Sequence, residues 1–240
     1  MNFIYLLFFF CLSAHALAQT YRKGELLYAN ELGQASDTAG WRMEGKGELA
    51  FAGNWMKMWS AGEKGHHVLW CPLPFPAHFI AEWEVQNLHP EAGLCIVFFS
   101  ATGLRQEDIF DPSLPLRDGT FTQYTKGAIN TYHISYYANG KDQPGRETAH
   151  LRKNKGFHLV QEKESGIPIH SSAIHRIKMI KHQGHIQLMI DDRTVIDWQD
   201  DGKKYGAVLG GGKIGFRQMK WTQFQYRRFR VWECVLDSED

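Results

Sequence analysis

The sequence has little helical periodicity, and it contains no internal repeat and no low-complexity tract. Short runs rich in Val, Ile, Phe, Tyr and Trp recur instead, separated by clusters of Gly, Pro, Asn and Asp. Such runs are typical of antiparallel strands joined by turns, whereas helices repeat their apolar residues every three or four positions. The pattern therefore predicts an all-β protein, built as a two-sheet antiparallel β-sandwich.

The chain also lacks an excess of either positive or negative charge. The chain has 27 Lys and Arg against 26 Asp and Glu, a formal net charge of +1, and the two signs are interleaved along most of it. Proteins that bind nucleic acid or anionic membrane surfaces usually concentrate basic residues on one face or segment. We therefore expect neither nucleic acid nor a membrane as a partner.

The chain has few cysteines, and its histidines are scattered. One of the four cysteines lies in an N-terminal apolar run, and the remaining Cys71, Cys95 and Cys234 allow at most one internal disulfide. Neither these cysteines nor the twelve histidines have the spacing of a metal site. We predict no cofactor, and a structural calcium ion at the Asp pairs 191–192 or 200–201 is left open.

A long hydrophobic run occurs only at the N-terminus, from Phe3 to Leu12. The run is too short to span a bilayer as a stable helix, and the small-residue site at 16–18 follows it. These features predict a secretory signal peptide over residues 1–18 and one β-sandwich domain over residues 19–240. We then expect an exported protein, periplasmic or extracellular, without membrane attachment after cleavage.

The apolar runs also locate the strands. The predicted strands are residues 79–85, 94–100, 132–137, 157–162, 173–181, 185–190, 194–198, 213–219 and 224–235. Three segments interrupt this rhythm and are predicted as loops, namely 101–121, 141–155 and 199–212. Because long loops on a rigid sheet often carry binding groups, we expect functional residues near them.

Two carboxylates on one predicted strand suggest glycosidase chemistry. Glu82 and Glu84 occupy alternate positions and therefore share one face of the strand. A retaining glycosidase needs two carboxyl groups roughly 5 Å apart, and the spacing resembles part of the catalytic strand of laminarinase-like enzymes. The match is incomplete, because no Asp lies between them and Gln86 occupies the next alternate position. A solvated sheet face is the alternative interpretation.

A second set of residues fits β-elimination of a uronate-containing polysaccharide. This reaction needs a cation or amide at the carboxylate, a base for the C5 proton and an acid for the leaving oxygen. Along the strand 132–137, His133 and Tyr137 share one face and Tyr136 lies on the other. The predicted catalytic residues are His133 or a nearby Tyr as base, Tyr136 or Tyr124 as acid, and Arg152 with Asn154 at the carboxylate.

The same residue types also suit a passive sugar site, in which aromatic rings stack on sugars and polar side chains bind hydroxyls. The predicted substrate-binding residues are Trp70, Tyr137, Lys153, Arg217, Gln218, Glu82 and Glu84. A register slip of one residue would exchange His133 with Tyr136 in the groove. The expected partner is an oligosaccharide or polysaccharide.

Several segments resemble one bacterial family. They read HVLWCP at 67–72, FIAEWE at 79–84, NTYHISYY at 130–137, LRKNKGF at 151–157 and GFRQ at 215–218. At these segments the chain resembles the YesU-like family, domain of unknown function 1961. The resemblance extends over most of the predicted mature chain, and the Arg-Lys-Asn segment at 152–154 is its most specific part.

This resemblance implies a concanavalin A-like jelly-roll and a role in bacterial polysaccharide utilisation, such as that of pectic rhamnogalacturonan. The same fold hosts alginate and glucuronan lyases, laminarinase-like glycosidases and hydrolases of 3-keto sugars, so the fold alone does not select a reaction. We expect an exported carbohydrate-active protein and favour a polysaccharide lyase. A lectin-like binding protein, or a glycoside hydrolase using Glu82 and Glu84, remains the alternative.

Overall fold

The structure, a computed structural model, describes residues 20–60, 62, 65–140 and 143–237. The predicted signal peptide at 1–18 lies outside these residues. Within them, no helix is long and apolar enough to cross a membrane.

Strands dominate the described chain. They are β1 (Tyr21–Asn30), β2 (Arg42–Gly45), β3 (Gly47–Ala52), β4 (Trp55–Ser60), β5 (His67–Phe75), β6 (Phe79–Asn87), β7 (Gly93–Gly103), β8 (Ile129–Gly140), β9 (Gln143–Arg146), β10 (Thr148–Asn154), β11 (His158–Ser165), β12 (Ile174–His182), β13 (His185–Ile190), β14 (Arg193–Gln199), β15 (Gly212–Gln218) and β16 (Gln223–Leu236). A 3-10 turn spans Ala35–Thr38, and one short helix, α1, spans Phe121–Thr125.

The strands form two antiparallel sheets. The front sheet has the order β11-β10-β8-β7-β15-β5-β2, with β9 beside β8. The back sheet has the order β14-β13-β12-β6-β16-β4-β3, with β1 beside β16. The prediction of a two-sheet antiparallel sandwich is confirmed.

Alternating burial explains how the sheets pack. In β6, Phe79, Ala81, Trp83 and Val85 are buried in the core between the sheets, whereas the residues between Ala81 and Val85 are partly exposed. The neighbouring β12 and β13 alternate in the same way and are joined by a turn in which Gln183 has a φ of 51°. Apolar burial between two such faces is the main stabilisation of a sandwich.

One irregularity in β8 determines which residues face outward. Cys95 of β7 pairs with Tyr137, and Ile96 pairs with Ser135, so Tyr136 is an extra residue without a partner on β7. Such a β-bulge interrupts the alternation of faces. Both Tyr136 and Tyr137 consequently point into the core.

A second apolar cluster lies on the outer face of the front sheet. Trp70 and Phe98 of this sheet are fully buried there, beneath Ile109 and Tyr124 from the segment between β7 and β8. This segment, 104–128, contains α1 and covers the middle of the outer face. The part of the face nearer the ends of β8 and β15 stays open.

The structure corrects one loop prediction. The segment 141–155 was predicted as a loop, but β10 occupies 148–154 and pairs with β8 and β11. Its alternating pattern is interrupted because Lys153 and Asn154 are both buried polar residues. The three cysteines Cys71, Cys95 and Cys234 are buried free thiols.

Candidate functional site

The open part of the outer face contains a cavity of about 300 Å³, called the basic pocket here. Its lining residues are Gly93, Leu94, Ile96, Phe121, His133, Ser135, Ala138, Asn139, Gly140, Arg146, His150, Arg152, Phe157, Met219, Lys220 and Trp221. The floor comes from β7, β8, β9 and β10, and the wall from α1 and from the residues after β10 and β15. Of the residues predicted along a groove, His133 and Arg152 line this cavity, and it is the face of β8 with His133, left open by the sequence, that lies there.

Two arginines give the basic pocket its charge. Arg146 donates from Nη2 to Oγ of Ser135 at 2.5 Å, and Arg152 donates from Nη1 to the carbonyl oxygen of Phe157 at 3.1 Å. The Arg152 guanidinium also lies 4.0 Å from the centroid of the Phe157 ring. Within the described part of the chain, neither guanidinium lies within 4.0 Å of a carboxylate.

Both arginines are partly desolvated, and the charge of Glu162, a carboxylate outside the lining, offsets this only in part. Burial lowers the pKa of Arg146, and the nearby charge of Arg152 lowers it further. Burial likewise lowers the pKa of Arg152. A guanidinium stays protonated despite such shifts, so the site carries two positive charges that an anion would stabilise.

His133 lies at the floor of the pocket and is only 2% exposed. Burial, followed by the charges of Arg152, Arg217 and Arg146, holds the pKa of its ring well below the ordinary value. The ring packs against Phe157 at 6.0 Å between centroids. His133 is therefore neutral at neutral pH.

Asn154 holds the His133 ring rather than lining the pocket. Its Nδ2 lies 2.9 Å from Nδ1 of His133 and donates to it, so the neutral ring carries its proton on Nε2. Asn154 is 1% exposed, and its Oδ1 has no partner among the described residues. The predicted contact of this amide with a substrate carboxylate is replaced by a contact with the imidazole.

The rim of the pocket adds further polar and aromatic groups. Nε2 of His150 lies 3.2 Å from Oε1 of Glu162, a carboxylate outside the lining. On the opposite side, Nζ of Lys220 lies 4.0 Å from the centroid of the Trp221 ring. Neither an aspartate nor a glutamate is among the lining residues, so the cavity is cationic and flanked by rings.

The predicted tyrosines lie elsewhere. Tyr136 is in the core, where its hydroxyl accepts from Sγ of Cys95 at 3.1 Å, and the Tyr137 hydroxyl donates to the carbonyl oxygen of Pro90 at 2.7 Å. Tyr124 lies under the 104–128 segment and donates to Oε2 of Glu44 at 2.8 Å. The expectation that these phenols face a substrate groove is wrong, because the β-bulge and the covering segment bury all three.

Trp70 is also buried rather than available as a sugar platform. Its Nε1 donates to the same Oε2 of Glu44 at 2.9 Å, and the ring stacks on Phe98. Arg117 completes this cluster with an ion pair to Glu44 at 2.7 Å. The segment 104–128 is therefore attached to the front sheet through one buried carboxylate.

Lys153 binds the loop between β14 and β15. Its Nζ pairs with Oδ2 of Asp200 at 2.7 Å and donates to the carbonyl oxygens of Gly206 and Ala207 at 2.7 and 2.8 Å. All three ammonium protons thus have acceptors, and Tyr132 donates to the same carboxylate. Asp200, a candidate calcium ligand from the sequence, is used in this way. No group of three or more His, Cys, Asp or Glu that could hold a metal ion occurs among the described residues.

The two predicted β15 residues are buried. Arg217 lies beneath α1, where it donates to the carbonyl oxygen of Gly119 at 3.2 Å and lies 4.5 Å from the Phe121 ring centroid. Gln218 faces the core, with its amide 3.0 Å from the hydroxyl of Tyr226. Neither lines the basic pocket, although Arg217 contributes to its positive potential.

Glu82 and Glu84 lie on the outer face of the back sheet, on the opposite side of the sandwich. Glu82 pairs with Lys23 at 2.7 Å, and Glu84 pairs with Arg227 at 2.5 Å and Arg228 at 2.9 Å. These arginines outweigh burial and lower the pKa of Glu84. A catalytic acid needs the opposite shift, so the ion pairs disfavour the hydrolase hypothesis.

The prediction from sequence missed Arg146, Phe157 and Trp221. Arg146 lies at the end of β9, in a segment that was predicted to be a loop. Phe157 was assigned to a strand, but it has a φ of 59° and lies in the turn before β11. A basic residue close to the Arg-Lys-Asn motif was the available signal for Arg146.

Comparisons with known proteins agree with this fold. The family model described as domain of unknown function (DUF1961) matches residues 25–231. The chain belongs to this family. A Bacillus subtilis (strain 168) member, described as uncharacterized protein YesU, is 39% identical over 218 residues, which cover 90% of this chain and 99% of that protein.

Solved structures extend the likeness beyond the family. A Bacillus subtilis crystal structure, described as a protein of unknown function with a galectin-like fold, is 39% identical with a TM-score of 0.85, and the match covers 90% of this chain and 99% of that one. The carbohydrate-binding module CBM66 from Bacillus subtilis is 14% identical with a TM-score of 0.53, and covers 81% of this chain and 96% of that one. At that identity the likeness to CBM66 concerns the fold alone.

Proposed function

We propose that the basic pocket binds an acidic saccharide and that a sugar carboxylate lies between Arg146 and Arg152. The observation that carries this proposal is a pair of partly buried guanidiniums that have no carboxylate within 4.0 Å among the described residues, although the charge of Glu162 outside the lining acts on both. Arginine forms paired hydrogen bonds with a planar carboxylate, and these bonds are strong in a partly desolvated site. The likeness of the fold to a carbohydrate-binding module supports a sugar as the ligand.

The remaining lining residues suit the ring and the hydroxyl groups of a sugar. The Trp221 and Phe157 rings flank the cavity and offer apolar faces for a pyranose ring. The protonated Nε2 of His133 is a donor for a ring or hydroxyl oxygen, because Asn154 occupies Nδ1. The predicted export of the protein is consistent with a polysaccharide met outside the cytoplasm.

The binding experiment compares an acidic oligosaccharide with its neutral counterpart. We expect calorimetry to detect oligogalacturonides or oligoglucuronides and not the carboxyl-reduced oligomers. Arg146→Ala should weaken binding about tenfold to a hundredfold, because it removes a charge-assisted hydrogen bond. Arg176→Ala on the back sheet is the matched control and should bind as the unmodified protein does. Equal affinity for acidic and reduced oligomers would refute the proposal.

A lyase is the second candidate, favoured by the neutral His133 beside the arginines. The arginines would acidify the C5 proton by neutralising the carboxylate, and His133 would remove it. That role needs the lone pair on Nε2, which requires the Asn154 amide to be reversed so that Oδ1 accepts from Nδ1–H. No tyrosine lines the pocket as an acid.

The lyase test follows the ultraviolet absorbance of the conjugated 4,5-unsaturated uronate on a panel of rhamnogalacturonan, glucuronan, alginate and ulvan. Absorbance that rises with the unmodified protein and is lost with His133→Ala would support elimination. A flat trace over the whole panel, while calorimetry still detects binding, would restrict the protein to the binding function.

A further inference from the structure

A second cavity lies beside the basic pocket, on the same outer face of the front sheet. It measures about 510 Å³, and its lining residues are Gly45, Lys46, Gly65, His66, Arg117, Asp118, Gly119 and Thr120. None of these residues lines the basic pocket. Nothing in the proposed carboxylate site uses this cavity.

Strand pairing shows that the two cavities are neighbours. One outward row of paired residues crosses the front sheet in the order Glu44, Val68, Arg217, Ile96, Ser135 and His150. The last three line the basic pocket, and the second cavity lies at the other end of the row. The row spans five strand spacings of about 4.8 Å each, and its middle residues Val68 and Arg217 are buried beneath the segment 104–128, so a saccharide that reaches both cavities must pass over this segment.

Two further contacts join the cavities. Thr120 lines the second cavity and the next residue, Phe121, lines the basic pocket, so a single chain step separates them. Lys220 of the basic pocket is close enough to His66 to lower the pKa of that ring, together with burial and the charge of Arg217. The two cavities therefore adjoin each other on either side of the chain at residues 120 and 121, where the covering segment enters α1.

The chemistry of the second cavity differs from that of the first. Arg117 is neutralised by Glu44, which leaves the charges of Lys46 and Asp118 in the lining. One cation, one carboxylate, the His66 ring and the Thr120 hydroxyl provide both donors and acceptors. Nδ1 of His66 is buried and has no partner among the described residues. Such a balanced set suits sugar hydroxyls rather than a second carboxylate.

We propose that the second cavity is a subsite for a further residue of the same saccharide chain, so that the protein recognises an internal stretch of a polymer rather than a terminal acidic sugar. This inference rests on the proposed function of the basic pocket. It assigns hydroxyl recognition to Lys46, His66 and Thr120. Affinity should consequently rise with chain length until both cavities are filled.

The test measures the affinity of oligouronides from dimer to hexamer by calorimetry. We expect the hexamer to bind at least about tenfold more tightly than the dimer, since filling a subsite adds contacts without a second loss of overall freedom. Thr120→Trp should fill the second cavity and abolish this gain while dimer affinity stays unchanged. Thr122→Trp, two residues further along the chain in α1 and outside both linings, is the matched control and should retain the gain.

Lys46→Met provides a second, gentler variant, because Lys46 is exposed and its loss should not affect folding. It should weaken hexamer binding by about two- to fivefold and spare the dimer. Lys203→Met, another exposed lysine outside both cavities, should change neither. Equal affinity at every length, or an equal loss for dimer and hexamer in Thr120→Trp, would overturn the subsite. Failure of every oligouronide to bind would instead overturn the function of the basic pocket.

Discussion

The outer faces of the two sheets both carry arginines, but they balance them differently. On the back sheet, Glu84 pairs with Arg227 and Arg228 and lines a cavity of about 170 Å³. On the front sheet, Arg146 and Arg152 line a larger cavity, and no carboxylate among the described residues pairs with them. The difference teaches that arginines without a direct carboxylate partner in a concave site, rather than arginines as such, indicate a ligand. Each prediction below tests one side of this contrast.

The largest expected effect is on stability. Lys153→Met removes the cation of a buried pair and leaves Asp200 uncompensated, so the free energy of unfolding should fall by about 3–5 kcal/mol. Urea denaturation measures this loss. Arg176→Met breaks an exposed back-sheet pair with Asp192 and should change the unfolding curve little. Similar losses in both variants would remove the distinction between buried and exposed pairs.

Acid should also affect the front sheet strongly. His67 is fully buried, and burial with the charge of Arg217 lowers its pKa to about 4. The unfolded chain takes up this proton near pH 6.5, so stability is complete above that pH and declines as the pH falls towards 4.

His67→Phe should remove up to about 3 kcal/mol of this decline, because one unit of pKa shift corresponds to about 1.4 kcal/mol. Urea denaturation at several pH values between 7 and 4 measures the slope for both proteins. A variant slope identical to that of the unmodified protein would show that His67 does not contribute to acid sensitivity.

The contrast between the two faces is tested most directly by affinity. Arg152→Ala should weaken binding of an acidic oligosaccharide at least about tenfold, because it removes one of the two unpaired guanidiniums. Arg227→Ala removes an arginine that Glu84 already neutralises, and it should leave affinity unchanged. Calorimetry with one oligouronide preparation compares the two. A greater loss in Arg227→Ala would move the ligand site to the back sheet.

The smallest effect is expected from Glu82→Gln. Its partner Lys23 is partly exposed, so the free energy of unfolding should change by at most about 1 kcal/mol, with no change in saccharide affinity or turnover. Thermal unfolding and the binding assay check this. A loss of turnover in Glu82→Gln would restore the hydrolase hypothesis.

Much of the fold can be predicted from the alternation of apolar and polar residues along short segments. Alternation along 79–85 and 132–137 correctly identifies β6 and β8 and places Glu82 and His133 away from the core. Alternation cannot reveal an inserted residue, so the inward position of Tyr137 was not predicted. The strand β10 escaped detection because its buried Lys153 reads as a solvated residue in sequence.

The site was predicted in part, and the failures share a cause. His133 and Arg152 come together because β8 and β10 are paired, and this pairing was not predicted, since 141–155 was expected to be a loop. Trp70, Tyr124 and Arg217 were expected in the groove, but the 104–128 segment covers them through long-range contacts with the front sheet. The contacts of this segment cannot be predicted from local sequence pattern, because each depends on where a loop distant in sequence packs on the sheet.

The β-bulge in β8 also has a consequence for sequence comparison and redesign. Because faces alternate with a period of two, the extra residue Tyr136 reverses the parity of every position after it and leaves those before it unchanged. Ala138 thereby forms part of the pocket wall, while Tyr137 stays inside. Deleting the codon for Tyr136 would make the Ser135 and Tyr137 pairs consecutive, so Ser135 and Ala138 would still line the cavity and Tyr137 would still face the core. The deletion would instead remove one phenol from the core, together with its contact to Cys95, so the bulge residue can be redesigned for core packing separately from the cavity lining.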